Sequence, residues 1–347
     1  MTRLLTLTAL LIASVNTAHA QLPANCDPPP PPSRKAGVDN IVFTKDGKTL
    51  VVAGTDGKIR FVDVASGNVQ RTLTGHTNAV YVAILSPDEK LLASSSRDST
   101  ARLWDVATGR ELHQFGGFRC TVKAVAFSPN GRQLAVGSND GIVKLYDVKT
   151  GKELSSFGHV DPENRFVAVY WLAFDRTGKK LYASNNDGTI SEWYGGKETR
   201  VVKAHDAGAY QIRFNHDYSL LASSGYDGFV KIWDTSNWHE IRRMSITSAP
   251  SNFVTQGFAF SHDGKLLASG SIGMNQDQSA YVYVHAEVWN VATGQKLWTF
   301  EGQKFDINGL TFTNDDKLLL TGSVDQTIKF RDLKTGAETR TITIPPN

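Results

Sequence analysis

The chain has 347 residues, 40% of them apolar, enough to build one large or two ordinary packed cores. Its 37 basic and 34 acidic side chains leave a net charge of only +3, spread along the sequence rather than gathered into a tail or stripe. That balance argues against a polyanion-binding surface, and nucleic acid is not an expected partner.

The first twenty residues, MTRLLTLTALLIASVNTAHA, join one early cation, Arg3, to an apolar run from Leu4 to Val15 and small residues at Ala18 and Ala20. A run of about a dozen is too short for a membrane-spanning helix, which needs roughly 20 residues. Residues 1–20 therefore read as a cleavable secretory signal, and the mature chain is expected outside the cytosol, periplasmic or secreted. Residues 21–37, QLPANCDPPPPPSRKAG, include the prolines Pro28 to Pro32, which lack amide donors and hold φ fixed; this is an extended linker. Cys26 and Cys120 survive processing, and an oxidising compartment permits either a disulfide between them or two unpaired thiols. No later segment is long and apolar enough for a membrane span.

Over residues 38–345 the text repeats. Aspartates recur at Asp56, Asp98, Asp140, Asp187, Asp227 and Asp325, with a period in the low forties once the last interval is taken as two periods. Such a period suits either helical solenoids or four-stranded propeller blades. The segments between turn pairs such as Pro87-Asp88, Asn130-Gly131 and Thr108-Gly109 are short and alternate in apolar character, as in VYVAIL, KLLASS and ARLWDV, so strands are predicted. In the second copy they fall at 79–85, 90–95, 100–106 and 111–115. A sheet of four short strands is marginal alone, so the copies must stack on one another. The first-strand pattern appears seven times, as DNIVFT, YVAILS, KAVAFS, YWLAFD, YQIRFN, GFAFS and INGLTFT. The expected class is all-β, a seven-bladed β-propeller of four-stranded antiparallel blades.

Two stretches, SSRDSTARLWD and SGYDGFVKIWD, share an aspartate six residues before a Trp-Asp pair, and Gly75-His76 opens the first of these repeats. With these markers the chain resembles the WD-repeat β-propeller family. The resemblance implies a hydrogen-bonded set inside a blade, made here by His76, Ser94, Asp98 and Trp104 and again by His205, Ser223, Asp227 and Trp233. Elsewhere the markers drift: the tryptophan position holds Val62, Tyr146 and Arg331 in the first, third and seventh copies, and the histidine position holds Phe118 and Gln303 in the third and seventh. The fourth and sixth copies keep Trp193 and Trp289, and the fourth needs His159 to reach across a longer loop. The last strand, ETRTITI, should complete the seventh blade from its own sequence, so that the ring closes by packing rather than by an interlocked N-terminal strand.

Function is sought in departures from the repeat. Extra residues occur at 158–166, 248–255 and 272–285, and the family resemblance places all three excursions, together with Cys120, on one rim. The resemblance also marks the positions just before the turn aspartates: Thr55, Arg97, Asn139, Asn186, Tyr226 and Val324. The expected partner-binding residues are Arg97, Asn139, Asn186, Tyr226, Arg165, Phe166, Tyr281 and Tyr283. The sequence contains no zincin, haem-attachment, nucleophile-elbow, P-loop or C-x-x-C motif. His216 and His262 read as turn residues, and Asn314-Asp315-Asp316 lacks regular calcium-ligand spacing. No catalytic residue, metal or cofactor is expected. The reading is a non-catalytic, monomeric scaffold that binds a protein or peptide on the rim with enlarged loops. The alternative is a propeller hydrolase, lactonase or small-ligand binder with its site at the mouth of the central channel. Inner strands rich in Val, Ala, Ile and Phe, with only Asn40, Arg213 and Asn308 as scattered polar groups, favour the scaffold.

Overall fold

The computed structural model describes residues 37–246, 253–274 and 281–345, with backbone alone for 253–256, 271–274 and 281–283. Residues 1–36, where the sequence predicts the signal and most of the linker, lie outside these residues. Among the described residues 28 strands, numbered in chain order, form seven antiparallel sheets of four consecutive strands each. The second blade shows the plan: β5 (Val80–Leu85), β6 (Leu91–Ser96), β7 (Ala101–Asp105) and β8 (Glu111–Phe115), running from the channel to the outside. No helix long and apolar enough to cross a membrane occurs among the described residues.

The seven innermost strands are neighbours around a closed ring. They are β1 (Val38–Phe43), β5, β9 (Val122–Phe127), β13 (Val169–Phe174), β17 (Ala209–Phe214), β21 (Phe253–Phe260) and β25 (Ile307–Phe312). Alternation explains the packing, because successive side chains of a strand face opposite neighbours. Each of seven apolar clusters lies between two adjacent blades; one joins Val51, Ile59 and Phe61 of blade one to Val80, Leu92 and Trp104 of blade two. The second strand of a blade is covered on both faces, as in β6, where Leu92 to Ser96 are all buried. Outer strands meet water and are correspondingly polar, as in β16 (Lys197–Lys203), KETRVVK.

The ring closes between blades seven and one without strand exchange. The final strand, β28 (Glu338–Thr343), belongs to the same sheet as β25, and β25 packs directly on β1. Their seam joins Val38, Ile41, Leu50 and Val62 to Leu320, Ile328, Phe330 and Ile342. Gly322 is required there: a Cβ on it would stand 2.6 Å from Val38 Cγ1. The seam is also bonded, with Asn308 donating to Asp39 Oδ1 at 3.0 Å and Asn314 donating to the Lys45 carbonyl at 2.7 Å.

Polar sets fix the turn aspartates, and in most blades they tie the aspartate to the connection that enters its own blade. His76 bridges Asp98 Oδ2 and Ser94 Oγ, both at 2.8 Å, while Trp104 Nε1 donates to Ser94 Oγ at 2.9 Å. One consistent proton arrangement has Ser94 donating to His76 Nε2 and His76 Nδ1–H donating to Asp98. His205, Asp227, Ser223 and Trp233 repeat it with bonds of 2.8 to 3.0 Å. Blades lacking these residues use substitutes. In blade one, buried Arg60 forks onto Asp56 at 3.0 and 2.5 Å. In blade four, His159 lies 3.4 Å from Asp187 and 2.7 Å from Glu198. In blade seven, Gln303 donates to the Thr321 carbonyl at 3.0 Å, and Arg331 pairs with Glu338 at 3.2 Å.

Trp104 contributes both an indole bond and a large share of the blade one–two cluster, so Trp104→Ala is expected to lower unfolding stability by about 3–5 kcal/mol. Equilibrium denaturation measures it, and an unchanged midpoint would refute the assignment.

Candidate functional site

A bulge at the second residue of the inner strands builds the site. Val38 pairs with Gly54 and Asn40 with Ala53, which leaves Asp39 outside the ladder. The same step leaves out Tyr81, Lys123, Tyr170 and Asn308, and in β17 it leaves out Tyr210 together with Gln211. Gln256 holds this register position in β21. An extra residue in one strand of an antiparallel pair is unpaired and re-aims its side chain. Asp39, Tyr81, Lys123, Tyr170, Tyr210 and Asn308 accordingly line a cavity of about 240 Å³ at one mouth of the channel, joined there by Tyr226, Asp306 and Val324.

This mouth is lysine-centred. Lys123 Nζ lies 4.8, 5.3 and 5.5 Å from the ring centres of Tyr81, Tyr170 and Tyr210, within cation–π range. Tyr226 adds a fourth ring, 5.9 Å from Tyr170 and 5.6 Å from Tyr210, and it fits because Gly208 has no Cβ to meet its Cδ2. Burial pushes the Asp39 carboxyl up to about 7, against the lowering by the Asn308 hydrogen bond and the Lys123 ammonium. Burial likewise pulls Lys123 down to about 8, against the raising influence of Asp39. Two opposite charges thus face a small aromatic-walled cavity, and both titrate nearer neutrality than their types usually do.

The rim around the mouth is held by one repeated bond. The residue before each turn aspartate donates its backbone N–H to a carbonyl in the connection entering that blade: Thr55 to Gly37, Arg97 to Ala79, Asn139 to Thr121, Asn186 to Ala168, Tyr226 to Gly208 and Val324 to Asp306, at 2.9 to 3.0 Å. The two families of loops therefore share one rim. The excursions at 158–166 and 272–285 belong to these families, and 247–252, which precede β21, lie outside the described residues.

The predicted site residues fall into three groups. Tyr226 lines the mouth, Asn186 Oδ1 accepts from Tyr170 OH at 2.6 Å, and the Arg97 charge acts on both Asp39 and Lys123. Asn139 Oδ1 is buried with no hydrogen-bond partner. Arg165 and Phe166 sit on a small hairpin closed by a Val160–Phe166 bridge, where Arg165 is already paired with Asp161 and Glu163, both at 2.7 Å. Neither lines the mouth. Tyr281 and Tyr283 pair in register with Met274 and Gly273 on an extended hairpin, β22 (Leu266–Met274) with β23 (Tyr281–Asn290); their side chains lie outside the described set. The excursion in blade six thus lengthens strands where a loop was expected. Cys120 is buried and disulfide-bonded, in the connection entering blade three; Cys26 lies outside the described residues.

One expectation is corrected. The channel wall is not merely Val, Ala, Ile and Phe: strict alternation along the inner strands hides the bulged residues, and with them Asp39, Tyr81, Lys123, Tyr170, Tyr210 and Gln211. The signal was present as a polar or aromatic second residue in VDN, VYV, VKA, VYW and AYQ.

The blade plan, the His-Ser-Asp-Trp sets and the turn aspartates are matched by a known sequence pattern. The profile of the WD domain, G-beta repeat, fits residues 67–105, 109–147, 196–234 and 294–332. The chain carries WD40 repeats. Each matched WD40 repeat starts in the outer strand of one blade and ends in the third strand of the next, so the sequence unit is offset by one strand from the blade. Protein tipD of Dictyostelium discoideum is 31% identical over 138 residues, 40% of this chain and 20% of its own length. COMPASS component SWD3 of Saccharomyces cerevisiae is 29% identical over 143 residues, 41% of this chain and 44% of its own length. Nuclear distribution protein PAC1 of Arthroderma benhamiae is 29% identical over 171 residues, 47% of this chain and 35% of its own length. The chain spans less than half the length of each of these curated relatives.

Asp39 carries a pH signature. Its folded pKa, about 7, exceeds the ordinary 3.8, so the native state binds more protons than the unfolded state between those values. Stability from this group is present at low pH and is lost as pH rises toward about 7. Asp39→Asn should flatten that segment of the stability–pH curve, as read by denaturant midpoints; a curve parallel to wild type would contradict the assignment.

Proposed function

We propose that the chain is a non-catalytic interaction scaffold that works outside the cytosol and holds a protein or peptide against the rim bearing the enlarged connections. The supporting observation is the coincidence on one rim of the connections at 158–166 and between β22 and β23 with an aromatic, charge-bearing mouth. Tyr81, Tyr170, Tyr210 and Tyr226 offer rigid, amphipathic contact area, and Lys123, Asp39 and Arg97 offer charges that a partner's polar groups can meet in a partly dry setting. Blade sheets fix these groups in advance, so little ordering entropy is lost on binding. The WD40 repeats and the likeness to COMPASS component SWD3 fit a scaffold. A disulfide at Cys120 suits an oxidising compartment, as does the signal-like N-terminal sequence.

A second reading, a small-ligand binder or hydrolase at the same mouth, draws support from the enclosed Asp39–Lys123 cavity. No group of three or more His, Cys, Asp or Glu side chains placed to hold a metal ion occurs among the described residues.

Co-purification from the exported fraction tests the scaffold. Shortening 272–285, or replacing Arg97 and Tyr226 together by Ala, should cut recovery of a specific partner at least about tenfold while thermal unfolding stays cooperative. Arg132→Ala, on the opposite rim, should leave recovery unchanged. Partner recovery that survives both rim variants, or metal-dependent turnover of a lactone or ester by the purified chain, would overturn the scaffold in favour of the second reading.

A further inference from the structure

The opposite half of the channel has a different character. It opens between the first-to-second-strand turns as a cavity of about 480 Å³, walled by Leu85, Phe127, Phe174 and Phe214, with Pro87 and Pro129 at its edge. No Asp or Glu lines it. Arg213, on β17, does. The Arg213 guanidinium lies over the Trp171 ring, 5.4 Å from its centre, and has neither a hydrogen bond nor an ion pair among the described residues. Its Nε is buried and unsatisfied. Burial alone pulls its pKa down to about 10, with no carboxylate acting to offset it.

A half-buried arginine whose Nε is sealed from water and that has no carboxylate among the described residues is a costly arrangement. Guanidinium presents a rigid fork of donors suited to a carboxylate, and buried charges in folded proteins are ordinarily paired. The indole face supplies part of the compensation and leaves the N–H edges free. By contrast, other cations sunk among the described residues have counterparts: Arg60 has Asp56, Arg331 has Glu338, Lys231 has Glu240, and Lys123 has Asp39 and three aromatic faces. Arg213 stands apart because no such counterpart occurs among the described residues.

We propose that this half of the channel is a second binding site, separate from the tyrosine-lined mouth, that takes a carboxylate attached to an apolar body. The carboxylate pairs with Arg213 beside Trp171, and the apolar part lies against Leu85, Phe127, Phe174 and Phe214. The volume falls in the usual range for small-ligand cavities, and the lining sets Arg213, with the polar Asn40, Asn215 and His216, among apolar side chains, as such sites do. A free organic acid and the C-terminus of a peptide ending in an apolar residue present the same chemistry.

Titration calorimetry on the full chain tests this with 4-phenylbutyrate and its uncharged amide. The acid should bind at least about tenfold more tightly than the amide. Arg213→Met should bind the two alike and, without ligand, melt at a higher temperature than wild type, because it removes a half-buried charge that no described carboxylate offsets. Tyr226→Ala, at the other mouth, should leave the affinity for the acid unchanged, so failure here is distinct from failure of the scaffold reading. A pentapeptide ending in phenylalanine, with free or amidated C-terminus, separates the two sources: a free-acid peptide binding more tightly than 4-phenylbutyrate assigns the site to chain ends, and the reverse assigns it to small acids. Equal binding of acid and amide, no binding of either, a preference that persists in Arg213→Met, or a lower melting temperature for that variant would each overturn the proposal.

Discussion

A sheet of four short strands is too thin to bury anything by itself, and burial of blade against blade is the interaction on which the rest of this molecule depends. Each of the seven apolar clusters spans an interface between neighbours, and the second strand of every blade is covered from both sides. Against that constant, the polar sets within blades vary: a His-Ser-Asp-Trp chain in two of them, an Arg60–Asp56 fork in one, a glutamine in another. Their variety follows from their task. They tie a turn to a loop, and any donor of suitable reach can do that, whereas nothing but apolar surface can fill the gap between two sheets.

Much of the fold was legible because its signals are local and repeated. A turn aspartate must accept from the residues after it, as Asp98 does from Thr100, so the same residue recurs wherever the same turn does. Strand patterns in the second copy fell within a residue or so of the observed elements. The candidate site was less legible. Tyr226 and Arg97 were visible because they flank marked turns, but Lys123, Asp39 and three tyrosines were masked by the assumption of strict alternation, and a one-residue bulge shifts which side chains reach the channel. Arg213 was visible as an oddity, yet its lack of a partner is a three-dimensional fact: it needs the absence of carboxylates on neighbouring strands that are far apart in sequence.

The two ends of the channel divide the chemistry between them. At the rim with the excursions, opposite charges and phenolic rings crowd a small cavity. At the other end a wider bowl of mixed apolar and polar side chains holds Arg213 and no described carboxylate. Asn40 and Trp171 line both cavities, so the division occurs within the length of one inner strand. It arises from register alone, since residues early in each inner strand face one mouth and residues late in it face the other.

The bulged positions have a consequence for how such a ring can diversify. A residue that makes no ladder bond is less bound to the strand frame than its neighbours, even where it serves the seam as Asp39 and Asn308 do, so its identity can be exchanged with less disturbance to the strands on either side. Around the ring these sites form a circle of sockets on a fixed frame, and new specificities can be composed there without rebuilding the blades.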